Sequence, residues 1–153
     1  MTDETRRNET REEGFSFIEI MAVVIIIGML TALIANNIFG RMKQAQHTIA
    51  QAQIEKVAGQ LEMYRLDNGS YPSGEQGLGA LVTAPTSDPQ PRNWLPGGYA
   101  KNADLKDPWQ NALQYRIPGE HNAHSFDLFS YGADGVEGGE GPNADVTNWD
   151  TGA

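Results

Sequence analysis

The chain has no cysteine. That excludes a disulfide framework, a thiolate nucleophile and a cysteine metal cluster together. A loop-rich region in this protein must therefore be held by packing or by a metal. Basic charge is also scarce, with 11 Lys and Arg against 20 Asp and Glu and a formal net charge of −9. A polyanion needs a basic footprint, so nucleic acid is excluded as a partner. Catalytic signatures are missing as well: there is no G-x-S-x-G, no H-E-x-x-H and no phosphate-cradling glycine loop. His121 and His124 sit three apart on a turn with no third ligand, and with His47 they read as surface histidines rather than a zinc or acid–base site. An enzyme is the competing class that these absences count against.

What the chain does have is concentrated at its start. Its 153 residues suit one compact domain with an appendage. Residues 1–14 (MTDETRRNETREEG) are hydrophilic, with Arg6, Arg7 and Arg11 among five acids. Residues 15–40 (FSFIEIMAVVIIIGMLTALIANNIFG) are almost wholly apolar, and about 20 such residues cross a hydrocarbon core as a helix. On hydropathy alone this is a signal anchor; a cleaved secretory signal fits less well, because the run is too long and lacks a small-x-small site.

Glu19 is the only charge in that span. A carboxylate at membrane depth costs about 2.5–3.5 kcal/mol even on the lenient insertion scale, and such acids are functional by default. The plain alternative is that it leans towards the headgroups. A cut after Gly14 would instead create a cation at the same depth, the α-amino group of Phe15, which Glu19 of a neighbouring subunit could pair with.

Past the span, Ile54, Val57, Leu61 and Tyr64 recur at steps of three and four, with Gln, Glu and Lys between them. Gln44–Gln60 lacks proline, and Asp67-Asn68-Gly69 before Tyr71-Pro72 is a helix stop. A helix from about Phe17 to Leu66 would be about 75 Å long. Glu75–Val82 reads as a short helix, and Thr83–Ala100, with its four prolines, as a long ordered loop. Leu113–Ile117 and Ser125–Tyr131 alternate apolar and polar residues about Pro118-Gly119, a hairpin pattern. The C-terminal tail is glycine-rich and acidic.

The string Gly14-Phe15-Ser16-Phe17-Ile18-Glu19, followed by an apolar stretch, resembles the processing site of type IV prepilins and pseudopilins. Tyr64–Pro72, Gln76-Gly77-Leu78, Ala84-Pro85-Thr86, Asp107-Pro108-Trp109, Pro118–His121 and Thr147-Asn148-Trp149 narrow the resemblance to the general secretion pathway protein G family of type II secretion. The resemblance covers nearly the whole chain from Gly14 to Trp149. It implies an α+β pilin-like fold, with a long N-terminal helix packed on a small antiparallel sheet.

The same resemblance implies three segments: a cytoplasmic leader over 1–14, a membrane and filament-core helix over 15–40, and a periplasmic domain over 41–153. A prepilin peptidase would cut between Gly14 and Phe15 and methylate Phe15, and Glu19 would serve assembly. The expected role is a major pseudopilin, anchored in the inner membrane and polymerised into a periplasmic filament that drives exoproteins towards the outer-membrane secretin. Its expected partners are other copies of itself, minor pseudopilins, the inner-membrane assembly platform and, indirectly, its ATPase. A type IV pilus pilin or a solitary membrane-anchored binding protein are the alternatives.

Three departures from the family pattern stand out. The leader is acid-rich where relatives are basic, and Arg41 and Lys43 weaken the charge asymmetry that would orient the span. Asn36 stands where relatives commonly have proline, and it competes only weakly for backbone bonds. The third concerns calcium, which the resemblance places between Asp134 of Ser130-Tyr131-Gly132-Ala133-Asp134-Gly135 and the acids before the final Thr-Asn-Trp. Asp145 matches, but Ala144 stands where many relatives have a second aspartate. Either one side-chain ligand is missing, or Asn143 or Glu140 takes its place. Ser130 belongs to the same motif. Ca²⁺ takes six to eight oxygens, including backbone carbonyls of a curled loop; without the resemblance, this is an acidic, solvated surface loop.

Overall fold

The structure is a computed structural model that describes residues 14–149, without the side chains of 34–39. The expected leader, apart from Gly14, and the side chain of Asn36 lie outside the described residues. Two compact units form, dividing at Gly40 and Arg41.

Helix α1 runs Phe17–Asn68 without a proline, since nothing in those 52 residues removes an amide donor. It stops where Gly69 takes a φ of +85° and returns its N–H to the Arg65 carbonyl at 2.7 Å. Glycine has no Cβ to oppose that left-handed turn. Asn68 closes the last turn by donating its side-chain amide to the Tyr64 carbonyl at 2.9 Å.

In the N-terminal unit, every side chain from Phe15 to Leu33 is exposed. Ile and Val dominate this stretch, so it is a helix with no polar face, left exposed among the described residues. Among the described residues no helix is long and apolar enough to cross a membrane. The apolar run counted in the sequence continues through residues 34–39, whose side chains lie outside the description.

The C-terminal unit is organised by one face of α1. Ala50, Ile54, Val57, Leu61 and Tyr64 are each at most 2% exposed; the last four are the positions picked out by the helical period, and Ala50 extends the stripe by a turn. Burying a side chain such as Ile54 or Leu61 contributes about 1.5–3 kcal/mol. Against this face lie Leu78 and Leu81 of a 3-10 turn (Gly77–Leu81), together with Leu113, Phe126, Leu128 and Val146.

Strands β1 (Gln114–Arg116) and β2 (Asp127–Ser130) form the expected hairpin, narrower at both ends than the alternation suggested. A third strand, β3 (Val146–Thr147), completes an antiparallel sheet in the order β1-β2-β3, with Ser130 opposite Val146. Two residues are too short to leave an alternation in the sequence, so β3 exists because β2 offers it a free edge. The expected long loop is ordered by side-chain bonds. Gln76 donates to the Ser87 and Pro89 carbonyls, Trp94 Nε1 donates to the Ala80 carbonyl at 2.9 Å, and the Tyr99 hydroxyl donates to Asp67 at 2.9 Å.

The β1–β2 connection is pinned by a buried carboxylate. Asp127 is 1% exposed and accepts the backbone N–H groups of Glu120, His121 and Asn122 at 2.7, 2.9 and 2.9 Å. A Cβ on Gly119 would stand 2.5 Å from Asp127 Oδ1, so only glycine lets the loop close this tightly. Burial alone would raise the Asp127 pKa, but the N–H groups of His121, Asn122 and Glu120 and the His121 ring outweigh it and hold the carboxyl below its usual range.

A depressed folded pKa stabilises above the unfolded value, about 3.9 for Asp, and that contribution fades as pH falls through the folded value. Replacing Asp127 with Asn should therefore destabilise the full chain by about 1–3 kcal/mol at pH 7, with the deficit shrinking as pH falls below about 4. Denaturant melts of both proteins between pH 7 and pH 2.5 check this; a deficit independent of pH would discard the charge-based account.

Candidate functional site

Two regions carry the residues singled out in the sequence, one in each unit. At the start of α1, Ser16 is the N-cap and Glu19 is three residues on. The Glu19 backbone N–H reaches Ser16 Oγ at 3.3 Å, and the Ser16 N–H donates to Glu19 Oε2 at 2.9 Å. This reciprocal pair is a capping box, which satisfies two of the amide donors that a helix leaves open at its first turn. The Ser-x-x-Glu spacing that encodes it is legible in the chain, yet reading Glu19 only as a membrane-depth charge passes over Ser16. Because the cap ends the helix there, Gly14 and Phe15 lie outside it, exposed. The second Glu19 oxygen, Oε1, has no partner among the described residues. The first turn thus presents a carboxylate steered by its own backbone, with one oxygen free, among exposed Phe15, Phe17, Ile18 and Ile20.

The second region is the loop from Ser130 to Val146. Its backbone folds back on itself. Ala133 N–H bonds the Pro142 carbonyl at 3.2 Å, and a 3-10 turn spans Gly141–Asn143. Cβ atoms placed on Gly132 and Gly139 would stand 2.9 and 2.5 Å from the Asn143 carbonyl oxygen. Both glycines have positive φ, +70° and +93°, so the close approach and the backbone conformation each require them.

The side chains expected to hold calcium divide within this loop. Asp145 Oδ2 accepts the Gly138 N–H at 2.9 Å, while Asp145 Oδ1 is buried with no partner. The Asn143 carbonyl lies at the centre of the curl. Asp134 Oδ1 accepts the N–H of Val136 at 3.2 Å in a local turn, and Glu140 is exposed. Ser130 points elsewhere: its hydroxyl donates to Asp107 Oδ2 at 2.6 Å and accepts from Gly132 N–H at 3.1 Å. Asp107 is 2% exposed and also takes the N–H groups of Trp109 and Asn111. Asp-Pro-Trp is visible in the sequence as a motif, but its bond to Ser130 is made only by folding. Among the described residues, no three His, Asp or Glu side chains gather closely enough to hold a metal.

The family model described as "Type II secretion system (T2SS), protein G" matches residues 37–149. The chain belongs to the type II secretion system protein G family. It is 49% identical over 140 residues to the type II secretion system core protein G of Pseudomonas aeruginosa, covering 92% of this chain and 96% of that one. It is 45% identical over 139 residues to that of Vibrio cholerae, covering 91% and 92%. Among solved structures it resembles the major pseudopilin from the type 2 secretion system of enterohaemorrhagic Escherichia coli. The TM-score is 0.62 at 39% identity, covering 74% of this chain and 94% of that one.

The family assignment bears out the resemblance read from the motifs, and with it the role of major pseudopilin of a type II secretion system. It makes the chain a structural subunit rather than an enzyme. The pilin-like α+β architecture, a long helix on a three-stranded antiparallel sheet, agrees with the solved relative.

The loop geometry makes its own prediction. Gly139→Ala should destabilise the full chain by about 1–3 kcal/mol, because the new methyl meets a carbonyl that has no flexible end to swing away. Gly138→Ala, at φ +92° but with open space around its Cβ position, should cost only the backbone strain, about 1 kcal/mol. Melting both variants in detergent tests the pair, and equal losses would show that the Asn143 contact does not matter.

Proposed function

We propose that the chain is cut between Gly14 and Phe15 by a prepilin peptidase and methylated at Phe15. Residues 15–40 then hold it in the inner membrane, with 41–153 in the periplasm. Mature subunits join a periplasmic filament, together with minor pseudopilins. An assembly platform with a cytoplasmic ATPase drives the growth, and the filament pushes folded exoproteins towards the outer-membrane secretin. The observation that carries this reading is the start of α1. Gly14 and Phe15 are exposed ahead of the helix, and Glu19 is the one charge in an uncovered apolar column with Oε1 unpartnered. A peptidase needs its scissile bond accessible and non-helical, which the cap at Ser16 provides. The new Phe15 ammonium of one subunit then offsets the cost of burying Glu19 of the next.

Mass spectrometry of the membrane-extracted protein should find an N-methylated Phe15 terminus in both the parent chain and Glu19→Ala. The variant should lose sheared filaments and secretion by about tenfold or more, as expected when a buried ion pair keeps only one member. Normal filaments in Glu19→Ala would discard the pairing, and an uncut terminus in the parent chain would discard the leader.

Calcium belongs to the same proposal for the C-terminal loop. The fit rests on Asp145 Oδ1, a buried carboxylate oxygen without a partner, beside a curl of backbone carbonyls. Asp145, Asp134 and carbonyls such as that of Asn143 would hold the ion, while Ser130 would contribute by backbone rather than by its committed hydroxyl. Bound calcium supplies a divalent charge that neutralises the carboxylates and ties the loop ends together. Binding only to the folded form stabilises by about 2.7 kcal/mol at a hundredfold excess over Kd. A chelator should lower the Tm of the detergent-solubilised chain and millimolar Ca²⁺ should restore it, whereas Asp145→Ala should no longer respond. A Tm indifferent to both additions would leave the loop held by hydrogen bonds alone.

A further inference from the structure

A second feature of the C-terminal unit is not used by its fold. A groove of about 470 Å³ lies between His47, Thr48, Gln51 and Glu55 on one side and Asp145–Thr147 on the other. The Glu55 carboxylate has no partner among the described residues. His47 Nε2 is buried and equally unpartnered, its ring held edge-on to Trp109 with centroids 5.4 Å apart. A buried polar atom without a partner is costly, so the groove is incomplete in the isolated subunit. Its walls carry the Glu55 carboxylate, beside the Asp145 carboxylate assigned above to calcium, and no lysine or arginine. A cation on a flexible stem would complete it.

The chain supplies that cation at one particular height. Arg41 and Lys43 are exposed on α1 and have no ion-pair partner among the described residues, and Met42 between them is exposed as well. They cannot reach the Glu55 carboxylate of their own subunit. Lys43 precedes Gln51 by eight residues and Glu55 by twelve on a continuous helix, about 12 and 18 Å along its axis. The same arithmetic brings them there in trans. A parallel copy displaced by that distance along α1 sets its Arg41–Lys43 level with this groove.

We propose that the His47–Glu55 groove is a docking site for the Arg41–Lys43 segment of a second copy, and so an axial contact of the filament. This rests on the filament reading above and extends it from the membrane segment into the folded domain. Lysine and arginine suit the site because their stems lie along apolar surface while their heads reach the Glu55 carboxylate. One contact per subunit repeats along the polymer, so a modest surface pair is multiplied by the subunit number.

The absence of cysteine makes the test clean. Lys43→Cys and Glu55→Cys, introduced together into the full chain and assembled with its secretion machinery, should give a ladder of disulfide-linked oligomers in sheared filaments after mild oxidation. A disulfide needs Cα atoms within about 7 Å, a distance the helix denies to residues 43 and 55 of one copy. Either single variant should give no ladder. Glu55→Lys alone should reduce filament yield about two- to fivefold, the range of a surface ion pair, and Lys43→Glu in the same chain should restore it. Filaments that assemble normally in Glu55→Lys, with no ladder from the double cysteine chain, would overturn the contact and leave Arg41 and Lys43 to lipid headgroups or solvent. If the parent chain forms no filament at all under the microscope, the filament reading falls and this contact falls with it.

Discussion

Everything in the C-terminal unit depends on burying one stripe of α1. Ala50, Ile54, Val57, Leu61 and Tyr64 present a continuous apolar surface, and no other described element is long enough to serve as a platform. The sheet is only three short strands, and so small a sheet needs an apolar face packed on a partner to be stable in water. It persists because Leu113, Phe126, Leu128 and Val146 close over that stripe. The same helix is exposed from Phe17 to Leu33. One element therefore carries both an internal partner and the need for an external one, which is the physical basis of an assembling subunit.

The rest of the domain is loop, and in a chain without cysteine the loops are held by carboxylates. Buried Asp127 gathers three amides of the β1–β2 connection, buried Asp107 joins the Trp109–Asn111 turn to Ser130, and half-buried Asp67 anchors Tyr99. Each replaces water around a charge with fixed backbone donors or a hydroxyl, which makes a buried acid tolerable. Asp145 departs from this pattern, with one oxygen bonded and the other buried and idle. Family resemblance drew attention to the loop through Asp134 and Asp145, and folding separates the two in emphasis. Asp134 makes a local turn, while Asp145 holds the unsatisfied atom.

Much of this was legible in the chain. The 3.6-residue period of Ile54, Val57, Leu61 and Tyr64, the Asn68-Gly69 stop, the hairpin alternation and the Gly14-to-Glu19 motif are local patterns. Local patterns survive in sequence because each residue's role is set by neighbours within one or two turns. The Ser16–Glu19 cap is equally local, encoded by the Ser-x-x-Glu spacing, which neither the charge of Glu19 nor its distance from Gly14 reveals. By contrast, β3 is two residues long and is defined by the edge it finds, Ser130 is committed to an aspartate 23 positions away, and the idle oxygen of Asp145 depends on what folds over it. The sequence by itself determined the long helix, its stop, the hairpin and the family. Only the tertiary structure decided which carboxylates are satisfied, because that depends on donors brought together from distant parts of the chain.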